Sequence, residues 1–379
     1  MKPIDFSQVP SPSFVVDERL LTKNLELLKS IQDRTGCRIL LALKGFSMHA
    51  TFPLVGQHLA GITASSLFEA RLGYEKMGKE VHVYAPAYVE HEMDELLSYV
   101  DHIVFNSFGQ WAKYRDKVKS TGKAIECGLR INPEYSEIET ALYDPCAPNS
   151  RFGVTLENFD ASQLDGLDGL HFHAMCEQNS DTLEHIIEVV EEKFGDALHQ
   201  MKWLNFGGGH HITREDYDVE KLVNIINHIQ EKYNLLVYLE PGEAVALNTG
   251  YLVATVLDIQ KNGMDLAILD TSATCHMPDV LEMPYRPMII GSGQANEFAH
   301  TYRLGGLTCL AGDVIGDYSF ETPLKPGDRL IFTDMAHYSM VKTHMFNGVN
   351  LPSIISYNDE EGLKVIREFT FEDYSGRLS

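Results

Sequence analysis

One lysine at the end of an apolar run is the residue whose position points most directly to covalent chemistry. Lys44 follows the run 37–43, which is typical of a buried β-strand. Because an ammonium group is costly to bury, a lysine at the rim of such a strand is paired with an anion, neutral, or used covalently. A desolvated lysine with a lowered pKa forms Schiff bases with carbonyl compounds. A snorkelling or salt-bridged lysine would give the same pattern, so other residues have to decide.

Three further features stand at the ends of predicted strands, and each has a role in pyridoxal phosphate chemistry. His173 could stack on the cofactor ring. The consecutive glycines Gly208 and Gly209 let backbone N–H groups approach a phosphate closely. Glu240, as a carboxylate, would keep the pyridine nitrogen protonated, which makes the ring an electron sink. Each feature alone is common in proteins, but together they indicate a pyridoxal phosphate site in which Lys44 holds the aldehyde.

An alternation of strand and helix patterns predicts how these residues are brought together. Charged segments with helical period separate most of the strand-like runs, which lie at 37–44, 61–66, 81–86, 102–106, 125–132, 168–174, 203–209 and 236–240. These units predict a closed (β/α)8 barrel, a TIM-like α/β fold whose active site forms at the C-terminal ends of the strands. The connection 133–167 is unusually long, and ordered loops of that length are often functional.

The pattern changes after Glu243, where strand-like runs follow one another without helical segments. These runs lie at 251–260, 265–270, 301–304, 328–333 and 363–370. Glycine- and proline-rich turns separate them, so we predict an all-β C-terminal domain. We expect residues 20–244 to form the cofactor-binding barrel. Residues 1–19, which carry an N-terminal strand, and residues 245–379 are expected to form the β-rich domain.

The amino-acid composition of the chain limits the kinds of molecule that it could bind. The chain has 379 residues, 44% of them hydrophobic, which is enough for one large core or two domains. Its net charge of −23 disfavours nucleic acid and anionic membrane as partners and suits a cationic substrate. Its six cysteines are scattered, as expected in a reducing compartment. We see no stretch typical of a membrane span or a signal peptide, so we expect a cytoplasmic location.

Short motifs along most of the chain carry a family resemblance. They are Ala42-Leu43-Lys44, Phe172-His173, Gly207-Gly208-Gly209, Glu240-Pro241-Gly242, Thr308-Cys309 with Asp313, and Asp334-Met335 with Tyr338. In these motifs the chain resembles the fold-type III pyridoxal phosphate decarboxylases, the group of ornithine and diaminopimelate decarboxylases that also includes alanine racemase-like proteins. The resemblance implies a homodimer with shared active sites, which the β-rich domain completes at the dimer interface. It also implies that Tyr338 binds the cofactor phosphate and that Cys309 and Asp313 reach into the partner subunit's site. There Cys309, a catalytic candidate, would lie near the reacting carbon, while the identity of the proton donor stays open.

Two departures from that group narrow the resemblance. Glu243 occupies the position of an arginine that grips the cofactor phosphate in ornithine- and diaminopimelate-type enzymes. Leu310 replaces the acidic residue that usually follows the cysteine. With these features, the segments 240–244, 276–279 and 309–313 resemble the carboxynorspermidine/carboxyspermidine decarboxylases of polyamine biosynthesis. The narrower resemblance implies decarboxylation of a carboxylated triamine to norspermidine or spermidine.

Such a substrate is cationic, so acidic side chains should line its channel. The candidate substrate-binding residues are Glu243, Asp279 and Asp313. Without the resemblance, Asp279 would be interpreted as a solvated loop residue. For Arg130 and Arg151, a structural ion pair is at least as good an interpretation as a contact with the substrate carboxylate.

A metal-dependent barrel hydrolase would be a different class of enzyme that uses some of the same residues. His171 and His173 lie on the same face of a predicted strand, as metal ligands do. His210 and His211 follow nearby, and Lys44 could carry a bridging carbamate. In that class, however, the histidine pair normally opens the barrel and precedes the lysine, whereas here it follows. We therefore expect no metal.

Three further hypotheses keep the cofactor but change what the protein does with it. A non-catalytic pyridoxal phosphate carrier is disfavoured by the joint presence of Lys44, Cys309 and Asp313. The same decarboxylation acting on meso-diaminopimelate or ornithine is disfavoured by Glu243 and Leu310. Racemisation is disfavoured because no second tyrosine base is evident. The preference between carboxynorspermidine and carboxyspermidine cannot be read from the sequence.

Overall fold

The computed structural model describes residues 2–283 and 285–379, so Met1 and Pro284, both in the predicted β-rich domain, lie outside the described residues. The chain divides into two compact units, Lys23–Val245 and the residues up to Thr22 together with Ala246–Ser379. The strands are β1 (Ser13–Asp17), β2 (Arg38–Ala42), β3 (Gly61–Ala64), β4 (Glu80–Tyr84), β5 (His102–Phe105), β6 (Glu126–Arg130), β7 (Gly169–His171), β8 (Trp203–Asn205), β9 (Leu236–Leu239), β10 (Gly250–Asn262), β11 (Met264–Leu269), β12 (Ser292–Gly293), β13 (His300–Gly305), β14 (Val314–Phe320), β15 (Arg329–Thr333), β16 (Ser353–Asn358) and β17 (Gly362–Arg367). The α-helices are α1 (Glu18–Thr35), α2 (Phe52–His58), α3 (Leu67–Lys76), α4 (Met93–Tyr99), α5 (Phe108–Ser120), α6 (Ser180–Leu198), α7 (Val219–Tyr233), α8 (Glu243–Ala246), α9 (Ala273–His276), α10 (Asp279–Glu282) and α11 (Phe371–Ser375).

Strands β2 to β9 close into a barrel of eight parallel strands in sequence order. Most of their residues are buried, as expected for parallel strands with side chains packed inside and helices outside. Every predicted run overlaps one of these strands, and the predicted (β/α)8 fold is confirmed. The strands end earlier than the patterns suggested, β8 at Asn205 for example, because the glycines that follow turn the chain. The connection from β6 to β7 contains only short 3-10 helices, at Ala141–Tyr143, Leu156–Asn158 and Ala161–Gln163.

The indole of Trp203 fills part of the barrel interior, because the neighbouring strands β6 and β7 have glycine where they pack against it. A Cβ added to Gly169 would lie 2.0 Å from the ring of Trp203, and one added to Gly128 would lie 2.3 Å from it. The indole packs against the rings of His102 and Tyr238, with centroid separations of 5.5 and 6.1 Å. These strand glycines are therefore required by close packing.

A buried polar network lies beside this indole. The Glu80 Oε1 atom accepts hydrogen bonds from His82 Nε2 at 2.8 Å and from the Tyr238 hydroxyl at 2.9 Å, and it lies 3.0 Å from His102 Nε2. Arg38 pairs with the other oxygen of Glu80 at 2.5 Å. The two imidazoles stack at 3.9 Å and direct both Nε2 atoms to one carboxylate oxygen. The ligand atoms of Glu80, His82 and His102 lie within 4.8 Å of one another, so this group could hold a metal ion, and the expectation of no metal stays a prediction.

The second unit is a mixed sheet in the order β12-β14-β13-β11-β10-β1-β16-β17, with β15 paired to β10. Strand β1 pairs antiparallel with β10 and parallel with β16, so the N-terminal strand belongs to the C-terminal sheet, as predicted. Phe14, Tyr318 and Phe332 are almost fully buried in its core. The sequence interpretation omitted β12, β14 and β16, and it expected no helices where α9, α10 and α11 lie. Within the described ranges, no helix is long and apolar enough to cross a membrane.

Candidate active site

A cavity of about 360 Å³ in the barrel unit brings together residues that the sequence separates widely. Its lining includes Lys44, Arg130, His171, His173, Gly208 and Glu240. Four of these residues were predicted to bind the cofactor, and they converge because each follows or ends a barrel strand. The volume lies within the range of about 300–1,000 Å³ that is usual for small-molecule sites.

Lys44 follows β2 and reaches solvent through this cavity. Loss of hydration on burial, and then the positive charge of the nearby Arg130 guanidinium, lower the pKa of the Lys44 amine. Among the described residues, no carboxylate forms an ion pair with it. The lowered pKa makes the Lys44 amine better suited to covalent use than an ordinary exposed lysine.

Glu240 follows β9 and is held by two donors. Asn205 Nδ2 donates to Oε1 at 2.8 Å, and His171 Nε2 lies 3.2 Å from Oε2. Burial opposes ionisation of this carboxyl group. The proximity and hydrogen bond of His171, then the nearby His82 and the bond from Asn205, outweigh it and lower the pKa of Glu240 to about 2. Glu240 is therefore an anion at neutral pH.

The glycine turn after β8 packs too closely for side chains. Gly207 and Gly209 have φ angles of 69° and 84°, and a Cβ on Gly209 would lie 2.0 Å from the Met175 carbonyl oxygen. The Gly208 N–H donates to His173 Nδ1 at 2.8 Å, so that amide is already used. The Gly209 N–H makes no hydrogen bond with any described residue. Of the two glycines predicted to bind the phosphate, Gly209 offers the available donor, and both assignments stay predictions.

His173 and Arg130 complete the polar wall of the cavity. Because His173 Nδ1 accepts from Gly208, a neutral His173 carries its proton on Nε2. Burial, followed by the nearby Lys44 and Arg130 cations, lowers the pKa of His173 well below its usual value. The Arg130 guanidinium lies 4.5 Å from the Tyr84 ring centroid, and no described carboxylate pairs with it. The structural ion pair considered for Arg130 is therefore not found among the described residues, and the same holds for Arg151.

The remaining predicted residues of the C-terminal unit are mostly engaged within it. Asp279 Oδ1 pairs with Lys342 at 2.5 Å. Asp313 accepts hydrogen bonds from the Ser272 hydroxyl and from the Thr308 backbone and hydroxyl groups. These contacts support a structural role for both acids, and the predicted substrate contacts stay untested.

Cys309 and Tyr338 lie on irregular backbone in the same unit. Cys309 is exposed, and its N–H donates to Asn347 Oδ1 at 2.7 Å. Tyr338 has a positive φ of 51°, which is uncommon for a residue other than glycine. Strain of this kind is often retained at ligand-binding positions, so it is consistent with the role predicted for Tyr338.

Glu243 begins α8 in the barrel unit. Its Oε1 atom lies 3.5 Å from His211 Nε2. A half-buried acid beside a histidine could meet a substrate amine as predicted, but this contact does not test the assignment.

Two functional candidates were missed by the sequence interpretation. Asp144 lines the same cavity as Lys44, and among the described residues its carboxylate has no cationic partner. It lies in the connection 133–167, whose length was the only signal. Asn205 was missed because it acts on Glu240 rather than on a ligand, although its place directly before the glycine turn could have indicated it.

Comparison with known proteins decides the family. Residues 13–336 match the family model described as pyridoxal-dependent decarboxylase, C-terminal sheet domain. The chain belongs to the pyridoxal-dependent decarboxylases. The match decides against the barrel hydrolase, in agreement with the geometry, since His171 is committed to Glu240 and His173 to Gly208.

Several relatives of this decarboxylase match over nearly their whole length. A carboxynorspermidine/carboxyspermidine decarboxylase from Campylobacter jejuni is 44% identical, with 98% of this chain and 99% of the relative covered. A carboxyaminopropylagmatine decarboxylase from Synechocystis is 45% identical, with 98% and 96% covered. The crystal structure of carboxynorspermidine decarboxylase complexed with norspermidine, from Campylobacter jejuni, has a TM-score of 0.90 at 43% identity and covers 97% of this chain and 100% of that one.

The cofactor of this decarboxylase is pyridoxal phosphate. The residues that line the cavity have the chemical groups needed to bind it. It contains an amine whose pKa is lowered and a carboxylate kept ionised, which are the two groups that the aldehyde and the ring nitrogen require. A Cβ on Gly208 would lie 2.5 Å from the Glu240 carbonyl oxygen and 3.3 Å from the His173 ring. A side chain at position 208 would therefore clash, and only glycine keeps the backbone of this turn accessible from the cavity.

Proposed function

We propose that this decarboxylase removes the α-carboxylate of carboxynorspermidine or carboxyspermidine and releases norspermidine or spermidine. The observation that carries the proposal is the placement of Lys44 and the ionised Glu240 in one cavity, in a chain that matches decarboxylases of carboxylated polyamines along its whole length. The competing substrates meso-diaminopimelate and ornithine lack an internal secondary amine, so they provide the contrast when substrates are compared.

The side chains of the cavity have different roles in the proposed decarboxylation. When bound, pyridoxal phosphate supplies an aldehyde that captures an amine and a ring that accepts the electrons left by departing CO2. Lys44 would hold the cofactor covalently, because a lowered pKa leaves its amine reactive. Glu240 would hold the proton at the ring nitrogen. Arg130, which has no described carboxylate partner, supplies positive charge to the anionic groups that enter the cavity.

Cys309 is proposed as the proton donor in a homodimer with shared active sites. Support comes from its exposed thiol and from the two anchors of its loop, Asn347 on the Cys309 N–H and Asp313 on Thr308. These anchors fix the backbone of the loop while leaving the side chain accessible. A group placed in this way can serve a neighbouring subunit.

Shared sites predict complementation between two inactive variants. Lys44→Ala and Cys309→Ala should each reduce CO2 release strongly, Cys309→Ala by about 10²-fold as expected for loss of a proton-transfer group. Mixing the two under conditions of subunit exchange should restore activity, because one hybrid site then contains both wild-type residues. Activity that stays at the sum of the two separate variants would place both residues in the same subunit's site. Cys37→Ala, a buried cysteine, would be the control for cysteine replacement.

Asp144 is proposed to bind the cationic end of the substrate. Because a hydrogen bond to a charged group is worth about 1.5–3 kcal/mol, Asp144→Asn should raise the KM for the triamine about 10- to 100-fold. The maximal rate should change little, since Asp144 does not touch the reacting carbon in this proposal. Asp160→Asn is the matched control, because Asp160 lies in the same connection but is exposed and caps a 3-10 helix. An unchanged KM in Asp144→Asn would remove Asp144 from substrate recognition.

Carboxyaminopropylagmatine is a second candidate substrate, since a decarboxylase of that compound is as similar to this chain as the first relative. Its guanidinium end would pair bidentately with a carboxylate such as Asp144, whereas an ammonium end would not. The test is CO2 release by the cofactor-loaded protein with carboxynorspermidine, carboxyspermidine, carboxyaminopropylagmatine, meso-diaminopimelate and ornithine in parallel. Release from the first two supports the main proposal, and dominant release from the third supports the second. Release only from the last two would contradict both.

A further inference from the structure

We propose that His171 is a positioning residue that holds Glu240 as a full anion against the cofactor's ring nitrogen. The inference rests on the proposed role of Glu240 and extends it. The sequence indicated His171 only as a possible metal ligand, and no step of the proposed decarboxylation uses it. The structure places it in direct contact with the carboxylate, within one layer of the barrel.

That layer is built by three neighbouring strands. His171 on β7 is the register partner of Asn205 on β8, and Glu240 directly follows β9. His171 Nε2 lies 3.2 Å from Glu240 Oε2, and Asn205 Nδ2 donates to Oε1 at 2.8 Å. Each carboxylate oxygen therefore has one donor. Asn205 Oδ1 also accepts from the Gly207 N–H at 2.8 Å, which fixes the amide orientation.

The hydrogen bond defines the tautomer of His171. An ionised carboxylate only accepts hydrogen bonds, so the proton of the imidazole lies on Nε2 and its lone pair on Nδ1. Nδ1 is buried, and no described residue donates to it. His171 Nε2 contacts the Glu240 carboxylate, and Nδ1 has no described partner. This arrangement suits His171 to hold Glu240.

The surroundings of His171 act on its pKa in opposite directions. Burial, assisted by the Arg130 and Lys44 cations, lowers the pKa of His171, although Glu240 acts in the opposite direction. The Tyr84 ring stacks on the imidazole, with the two ring centroids 5.4 Å apart. A hydrogen-bond donor at this position fixes the orientation of the carboxylate that the ring nitrogen would meet.

The experiment measures the protonation state of the ring nitrogen directly. Holoenzyme is prepared with isotope-labelled pyridoxal phosphate, and the NMR shift of the ring nitrogen is recorded for wild type, His171→Phe and His171→Gln. We expect His171→Phe to move the shift towards the unprotonated value and to lower kcat about 10- to 100-fold with KM unchanged, as loss of a hydrogen bond to a charged group predicts. His171→Gln retains a donor and should recover most of both signals.

A double-mutant cycle separates positioning from general support of the fold. If His171 acts through Glu240, His171→Phe should add no further loss of kcat in a Glu240→Gln background. Equal losses in both backgrounds, or a ring nitrogen that stays protonated in His171→Phe, would overturn the inference. If Glu240→Gln itself leaves the ring nitrogen unchanged, the proposed role of Glu240 fails instead, and the two failures are distinguishable.

Discussion

Replacing Lys44 with alanine is expected to reduce the rate of CO2 release by more than about 10³-fold. The reason is twofold, since the variant loses both the covalent hold on the cofactor and a group that can transfer protons, and proton transfer alone contributes typically about 10²–10⁴-fold. Lys44 suits both tasks because its pKa is lowered and no described carboxylate pairs with it. A lower pKa makes the unprotonated, nucleophilic form of the amine easier to reach.

The measurement combines turnover with retention of the cofactor. Lys44→Ala and wild type are loaded with pyridoxal phosphate, passed through a desalting column, and compared by visible absorbance and by CO2 release. We expect the variant to lose cofactor on the column, whereas Lys76→Ala, which removes an exposed lysine at the end of α3, should behave as wild type. Appreciable turnover by Lys44→Ala would refute the assignment of Lys44 as the cofactor-binding amine.

The barrel half of the candidate site could be predicted because sequence order determines which parallel strands are neighbours. Lys44 follows β2 and Glu240 follows β9, and β2 and β9 are adjacent where the barrel closes. Once the alternation of strands and helices indicated a closed barrel, every strand end had to lie on one face. Residue type then indicated the chemistry, since a lysine and a carboxylate on that face have few purely structural uses.

The acidic residues proposed to bind the substrate were harder to predict, because sequence shows the sign of a charge but not its partner. Asp279 pairs with Lys342, 63 residues further along the chain, through a packing arrangement that no local pattern encodes. Asp144 shows the reverse case. The sequence interpretation did not select it, because it lies in a long loop, yet it lines the cavity without a described cationic partner. Which acid meets the substrate is therefore decided by tertiary contacts.

The C-terminal sheet was predicted less completely for a related reason. Strand β16 pairs with β1 from the opposite end of the chain, and β14 contains a glycine and an aspartate that interrupt its apolar pattern. Pairing partners in this sheet are set by long-range register, and neither strand has the continuous apolar run that identified the barrel strands.

Replacing Glu80 with alanine is expected to destabilise the barrel by about 1–3 kcal/mol, the usual cost of leaving buried hydrogen-bonding groups without a partner. Without this carboxylate, the hydroxyl of Tyr238 and the imidazoles of His82 and His102 are left in the barrel interior without their acceptor. Both tryptophans of the chain, Trp111 and Trp203, lie in the barrel unit, so tryptophan fluorescence during urea unfolding reports on that unit selectively.

The control is Glu75→Ala, which removes an exposed carboxylate paired with Arg71 one helical turn away. Exposed pairs contribute about 0–1 kcal/mol, so this variant should unfold close to wild type. A similar urea midpoint for Glu80→Ala and Glu75→Ala would mean that water or a rearrangement satisfies the donors left by Glu80. A clear separation, with unchanged denaturant dependence, would show that the Glu80 carboxylate stabilises the buried polar network beside Trp203. Because Glu80 contacts neither Lys44 nor Glu240, folded Glu80→Ala should retain the kcat of wild type, which separates support of the fold from support of the site.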